Sequence, residues 1–191
     1  MNYFITSDLH LGHHNIIKYC NRPFKDVAHM NRVLIKNWND RVKEEDVVFH
    51  LGDFCFKNSN ESRGEGQCMT AFHWLNNLNG QKVMLKGNHD RNNSLKVLMH
   101  RAFIEYAGQE YEMVHAPDDA TGECTITFCG HVHERWKYRL SQGCSGDTIL
   151  INVGVDVNDF MPKTLDEVLN EFKRWKKNNA FEYYTPWKGQ E

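Results

Sequence analysis

The stretch Tyr3-Phe4-Ile5-Thr6-Ser7-Asp8-Leu9-His10 sets the pattern for the rest of the chain. Its first half is a short β-branched and aromatic run, the signature of a buried strand. Its second half is polar and places a carboxylate and an imidazole one residue apart. The same unit returns along the sequence. Val47–Leu51 is followed by Gly52-Asp53, and Lys82–Leu85 by Gly87-Asn88-His89-Asp90. Tyr111–Val114 is followed by His115-Ala116-Pro117, and Thr125–Cys129 by Gly130-His131-Val132-His133. A further strand is expected at Ile149–Val153.

Helical periodicity lies between and after these runs. Over 29–39, Met30, Val33, Leu34 and Trp38 form one apolar face, and over 70–78 Phe72, Leu75 and Leu78 do the same. Thr164 with Glu167 three positions on is a capping-box pattern. It opens a helix whose buried face carries Leu165, Val168, Leu169, Phe172 and Trp175. Asn79-Gly80 reads as a tight turn ahead of a strand. Strands alternating with helices and then following one another predict a mixed α/β (α+β) domain. One domain is expected over 1–191, with a polar, mobile loop at 57–69 beside the site and a flexible C-terminal tail at 178–191.

Composition narrows the class. The net charge is −2, with 40% hydrophobic and 25% charged residues. These are the proportions of a soluble globular protein, without the charge excess of a broad basic face for duplex nucleic acid. No run approaches the roughly 20 apolar residues needed to cross a bilayer. The N-terminus lacks the basic and apolar regions of a signal peptide. The six cysteines include no Cys-x-x-Cys pair and read as reduced thiols. A cytoplasmic protein with no membrane partner is therefore expected.

The 11 histidines carry more information, because several sit beside Asp, Asn and Gly at strand ends. Loops at strand ends converge on one edge of a layered sheet. Imidazole and carboxylate suit borderline divalent metals. Asp8 and His10, like His131 and His133, are two apart, a spacing that in a strand points both side chains to one side. Asp8, His10, Asp53, Asn88, His115, His131 and His133 are too many donors for one four-coordinate ion and about right for two ions sharing a carboxylate. Two such ions can activate water near neutral pH and clamp phosphate oxygens. His89, next to Asn88, is placed to protonate a leaving oxygen.

This ordered set, from Asp8-x-His10 through Gly52-Asp53 and Gly87-Asn88-His89-Asp90 to His115 and Gly130-His131-x-His133, resembles the calcineurin-like metallophosphoesterase superfamily. The resemblance implies a four-layer β-sandwich flanked by helices. It implies that Asp8, His10, Asp53 and His133 hold a first ion, that Asp53 bridges, and that Asn88, His115 and His131 complete a second. It gives His89 the part of general acid or transition-state stabiliser. The implied ions are divalent, manganese foremost, with iron, nickel and zinc as alternatives. Purple acid phosphatases in the same superfamily carry a metal-binding Tyr three residues after the bridging Asp. Phe56 stands there in this chain, which speaks against a ferric–tyrosinate centre.

The opening residues 8–24 further resemble small phage and bacterial members, which makes His13, Asn15 and Arg22 candidates to line the site. Arg135, just after the last cluster, is a candidate phosphate contact, as is Arg63 in the polar loop. One of His13 and His14 is an alternative cap for a helix starting near Asn15. His50 is a candidate support for the Gly52-Asp53 corner. The implied activity is phosphoester hydrolysis, with diesters favoured. The partner is a phosphate ester, a nucleotide or a nucleic-acid end being the leading examples. Monoesterase, nuclease and non-catalytic scaffold are the competing readings, and the oligomeric state is open.

Overall fold

The computed structural model describes residues 1–56, 70–92 and 95–186. The polar loop expected at 57–69, with Arg63, lies outside the described residues. In chain order the elements are β1 (Tyr3–Thr6), α1 (His14–Tyr19), α2 (Val27–Asn39), β2 (Val47–His50), α3 (Ala71–Asn76), β3 (Gln81–Met84), β4 (Arg101–Tyr106), β5 (Gln109–Val114), β6 (Ile126–Cys129), β7 (Tyr138–Gln142), β8 (Asp147–Asn152), β9 (Lys163–Thr164) and α4 (Leu165–Lys176). They form two sheets, ordered β3-β2-β1-β9 and β4-β5-β6-β8-β7. Within them β1, β2 and β3 run parallel, as do β5, β6 and β8. The result is the expected α/β sandwich with flanking helices.

Side-chain alternation builds the layers. Phe4 and Val48 face a cluster with Met30, Leu34, Trp38 and Trp74, so α2 and α3 cover the outer side of the first sheet. Their neighbour Ile5 turns the other way, into a core between the sheets with Met113, Phe128, Ile149 and Ile151. Leu165, Val168, Leu169 and Phe172 of α4 join that core. The outer face of the second sheet carries Val114, Cys129 and Leu150, with Trp136 and Tyr184 packed on them.

The helix starts follow local chemistry. Asp26 accepts a hydrogen bond from the His29 amide and starts α2 two residues before the apolar periodicity shows. Thr164 and Glu167 make the reciprocal capping box that opens α4. The N-cap of α1 is His13, but its side chain makes no capping bond. Of the two histidines offered as alternative caps, His13 holds the N-cap position, but its side chain contacts His10 instead.

Three strands escaped the sequence reading. β4 pairs antiparallel with β5 through Ala107-Gly108, both at positive φ, a tight hairpin without the Asn-Gly or Asp-Gly that usually advertises one. β7 is an edge strand, and β9 has only two residues. Of the expected tail, Glu182–Tyr184 is held to β7: Leu140 donates to the Glu182 carbonyl at 3.0 Å, and Tyr184 donates to the Leu140 carbonyl at 2.7 Å. No helix among the described residues is long and apolar enough to cross a membrane. Cys20, Cys55, Cys124, Cys129 and Cys144 are thiols rather than disulfides.

Candidate metal centre

The sequence-predicted donors all follow the C-terminal ends of parallel strands. Asp8 and His10 follow β1, Asp53 follows β2, Asn88 and His89 follow β3, His115 follows β5, and His131 and His133 follow β6. Parallel strands deliver these loops to one edge.

How the donors converge differs from the strand-pleat expectation. Asp8, His10, Asp53, His131 and His133 all lie beyond their strands at positive φ, between 50° and 70°. The left-handed region is uncommon outside glycine and costs on the order of 1–3 kcal/mol where the surroundings enforce it. Strained turns, not a shared strand face, aim these side chains inward. Backbone bonds hold the turns: Asp8 and His10 donate to the carbonyls of Gly52 and Asp53 at 3.1 and 3.0 Å. Two glycines permit the close approach. A Cβ on Gly87 would stand 2.1 Å from Asp53 Oδ1, and one on Gly130 would stand 2.4 Å from Asp8 Oδ2.

The donor atoms form two groups, each with its atoms within 4.8 Å of one another: Asp8, His10 and His133, and Asp53, His115 and His131. Asp53 Oδ2 stands 3.4 Å from His10 Nε2 and also 3.4 Å from His115 Nε2. Asn88 Oδ1 joins the second group, 2.9 Å from His115 Nε2 and 3.0 Å from His131 Nδ1. The fit to a divalent cation has two supports. His10 Nε2 is fully buried with no hydrogen-bond partner, an expensive state for a polar atom unless something binds it. Two donors each about 2.1 Å from a tetrahedral ion stand about 3.4 Å apart, which is the observed spacing.

The electrostatics point the same way. Burial pushes His10 well below its ordinary value. Burial alone would raise the Asp53 carboxyl, but His115, with His10 and His89, holds it well below the usual range. Burial also works against a charged His115, yet Asp53 raises it to about 9. His133 overcomes its burial through Asp156 and rises to about 11. His131 is lowered by burial and by His115. The site is thus an arrangement of imidazoles and carboxylates whose charges are matched only with protons, or a cation, between them.

Several groups hold the donors in place. Asp90, inside the Gly-Asn-His-Asp motif, accepts from the amides of Asp53 and Gly87 at 2.8 Å each and of Phe54 at 3.1 Å. It locks the β3 loop to the β2 loop. His50 Nδ1 accepts from the Gly52 amide at 3.3 Å, and burial drives its pKa down to about 3. Asp156, after β8, receives His133 Nδ1 at 3.0 Å and was missed by the sequence reading. Its signal was available, since Gly154-Val155-Asp156 follows a strand as Gly52-Asp53 does. Cys20 forms a third group with His133 and Asp156.

The remaining candidates separate. His89 is exposed at the rim, its ring 5.1 Å from that of His10, while its amide donates to Asp53 Oδ1 at 2.9 Å. His13 is buried beside His10 and stacks on Phe56 at 4.2 Å. Asn15 is exposed in the first turn of α1. Arg22 is buried, and its guanidinium donates to Asp156 and to the carbonyls of Asp8 and Leu9. Arg135 is exposed on the loop after His133.

A sandwich of two sheets with Asp, Asn and His converging at the ends of parallel strands defines a class, the phosphoester hydrolases built on this scaffold. The chain belongs to the calcineurin-like phosphoesterase superfamily, whose domain model matches residues 1–163. It is 34% identical over 181 residues to the uncharacterized protein MJ1445 of Methanocaldococcus jannaschii, covering 91% of this chain and 92% of that protein. It is 37% identical over 90 residues to the Gene 66 protein of Mycobacterium phage D29, a match that spans 41% of the phage protein. Among solved structures, a protein of unknown function, AQ665 from Aquifex aeolicus, shares the fold with a TM-score of 0.63 and 24% identity, covering 89% of this chain and 98% of that one.

Proposed function

We propose that this protein is a dinuclear-metal phosphodiesterase. The observation that carries the reading is the position of Asp53 Oδ2, 3.4 Å from an imidazole nitrogen of each donor group. A carboxylate so placed suits a ligand shared by two ions. Asp8, His10 and His133 would hold one ion with Asp53, and Asn88, His115 and His131 the other. When bound, a pair of divalent ions, manganese foremost, supplies Lewis-acid charge to phosphate oxygens and an activated water at neutral pH.

The chain's own residues do the rest. His89, exposed on the rim beside His10, can reach a leaving oxygen and give it a proton at a ring nitrogen. Asp156 fixes the tautomer and orientation of His133, as second partners of ligating histidines do. Arg22 holds the Asp8-Leu9 carbonyls and Asp156, so its part is positioning rather than substrate contact. His13, stacked on Phe56, shields His10 from water. Asn15 and Arg135 remain the exposed candidates for substrate contact. The preference for diesters rests on the resemblance to small single-domain members.

The test is hydrolysis of bis-p-nitrophenyl phosphate and p-nitrophenyl phosphate by protein stripped of metal and resupplied with manganese, nickel, zinc or magnesium. Metal-restored cleavage of the diester with little of the monoester is expected. Monoester cleavage alone would make the protein a phosphomonoesterase. No cleavage with fewer than two ions per chain would favour a non-catalytic scaffold.

A further inference from the structure

His13 and His10 meet nitrogen to nitrogen inside the protein. His13 Nδ1 lies 3.3 Å from His10 Nδ1, and both residues are buried. The other nitrogen of His10, Nε2, is the buried one without a hydrogen-bond partner, 3.4 Å from Asp53 Oδ2. A neutral imidazole carries its proton on one nitrogen or the other. For Nε2 to offer a lone pair to an ion, the proton must sit on Nδ1, and Nδ1 must then donate. The acceptor it meets is His13 Nδ1.

We propose that His13 is a positioning residue for the metal centre, accepting the His10 Nδ1 proton so that Nε2 stays open toward the first ion. The proposal rests on the dinuclear reading above. His10 then follows the pattern of the other buried donors. His115 Nδ1 is held by the Leu51 carbonyl at 2.8 Å and His133 Nδ1 by Asp156 at 3.0 Å. A ligating imidazole is oriented by the partner of its second nitrogen, and that partner also fixes its tautomer. His13 would carry its own proton on Nε2, which is not among the buried side-chain atoms lacking a partner.

The acceptor is firmly mounted. The His13 amide donates to the His10 carbonyl at 3.0 Å, closing a turn over residues 10–13. Within that turn the Gly12 amide donates to Asn31 Oδ1 of α2 at 3.0 Å. Phe56 stacks on the His13 ring at 4.2 Å with 12° between the planes, and its own amide donates to the Leu11 carbonyl at 3.0 Å. The position three residues after Asp53 thus braces the ring that aims a ligand. A ring as buried as His13 offers little to a substrate, so its contribution runs through His10.

The test separates the acceptor from the ring. His13→Phe keeps an aromatic ring against Phe56 and removes the acceptor. His13→Asn gives up the ring and keeps an oxygen near the place of Nδ1. Zinc binding to metal-free wild type and both variants is read by titration calorimetry. His13→Phe is expected to bind one of its two ions about 10–100-fold more weakly, and His13→Asn to stay close to the wild type. Equal affinity in all three, or the reverse order, would overturn the proposal. Nitrogen-15 NMR of the zinc-loaded wild type needs no variant. It should show the His10 proton on Nδ1, with a coupling across the bond to His13 Nδ1. A His10 proton on Nε2 would overturn the proposal whether or not the variants fold. A wild type that takes up no zinc would bring down the dinuclear reading together with the proposal. Absent hydrolysis of bis-p-nitrophenyl phosphate, with the zinc affinities in the expected order, would bring down the phosphodiesterase reading alone.

Discussion

Arg22 and Asp156, 134 positions apart in the chain, meet in a buried two-pronged ion pair, Nε to Oδ1 and Nη2 to Oδ2 both at 2.8 Å. Arg22 also grips the Asp8 carbonyl at 2.8 Å, and Asp156 also holds His133 at 3.0 Å. One guanidinium therefore connects a donor loop of the first sheet to a donor loop of the second. Arg22→Ala should leave the buried Asp156 with His133 alone as counter-charge and the Asp8 and Leu9 carbonyls without their donor, and cost up to about 3–5 kcal/mol, read from urea midpoints. Arg22→Lys should recover little, because an ammonium cannot span both oxygens and the carbonyls together. A loss below about 1 kcal/mol in Arg22→Ala would refute the connection.

Asp53→Asn keeps the shape of the side chain and removes its charge. The expected result is loss of at least one of two bound ions per chain, counted by elemental analysis, together with abolished diester hydrolysis. Full activity with an unchanged metal count would sink the shared-ligand assignment.

His89→Ala should behave differently. Its ring sits at the rim, and the donor groups are complete without it. Metal content should hold while kcat falls by about 10²–10⁴-fold. Metal loss in this variant would instead make His89 a ligand.

Metal uptake should release protons. With His115 held protonated up to about 9 and His133 up to about 11, both carry protons at pH 7 in the metal-free chain. A coordinating imidazole must give its proton up, so about two protons should leave per chain and affinity should climb with pH. Calorimetry in two buffers of different ionisation heat measures the number, and a value near zero would contradict the donor roles. For the metal-free fold the sign is opposite. Both folded values lie above the unfolded value of about 6.5. Their stabilisation is complete below that pH and fades as pH rises through about 9 and then about 11.

His50 governs part of the acid limb. Its folded pKa is depressed to about 3 against about 6.5 unfolded, so its neutral form stabilises the fold fully above 6.5 and progressively less as pH falls toward 3. By pH 5 the loss amounts to about 2 kcal/mol. His50→Gln should flatten the drop in urea midpoint between pH 7 and pH 5. His10 and His13, also depressed, should keep a residual slope. An identical drop in variant and wild type would assign the acid sensitivity elsewhere.

The strands that carry donors were legible as short, mostly apolar runs: Ile126–Cys129 is buried throughout, and Val47–His50 alternates between half-buried and buried. β4 was not, because its alternating exposure dilutes the pattern and its turn uses Ala107. The donor residues were legible as clusters of the right chemistry at strand ends, yet their geometry was not. Spacing two suggested a pleated strand, while the backbone at Asp8, His10, His131 and His133 is left-handed. Arg22 shows the same gap: a lone Arg-Pro pair says nothing of a carboxylate 134 residues later. Asp156 stands at a strand end after a glycine, as Asp53 does, but has no histidine neighbour to mark it as part of a donor cluster.

Each donor group draws on both sheets: Asp8 and His10 with His133 in one, Asp53 with His115 and His131 in the other. Neither group exists within a single sheet, so the spacing of the donors is a measure of how the two sheets stand apart. Phe128 and Met113, packed between the sheets, act as spacers that set that gap, although neither belongs to the donor set. Trimming or enlarging them would change the tolerance of the site for ions of different radius. Metal selectivity would then be tuned from the hydrophobic interior, leaving every donor side chain as it is.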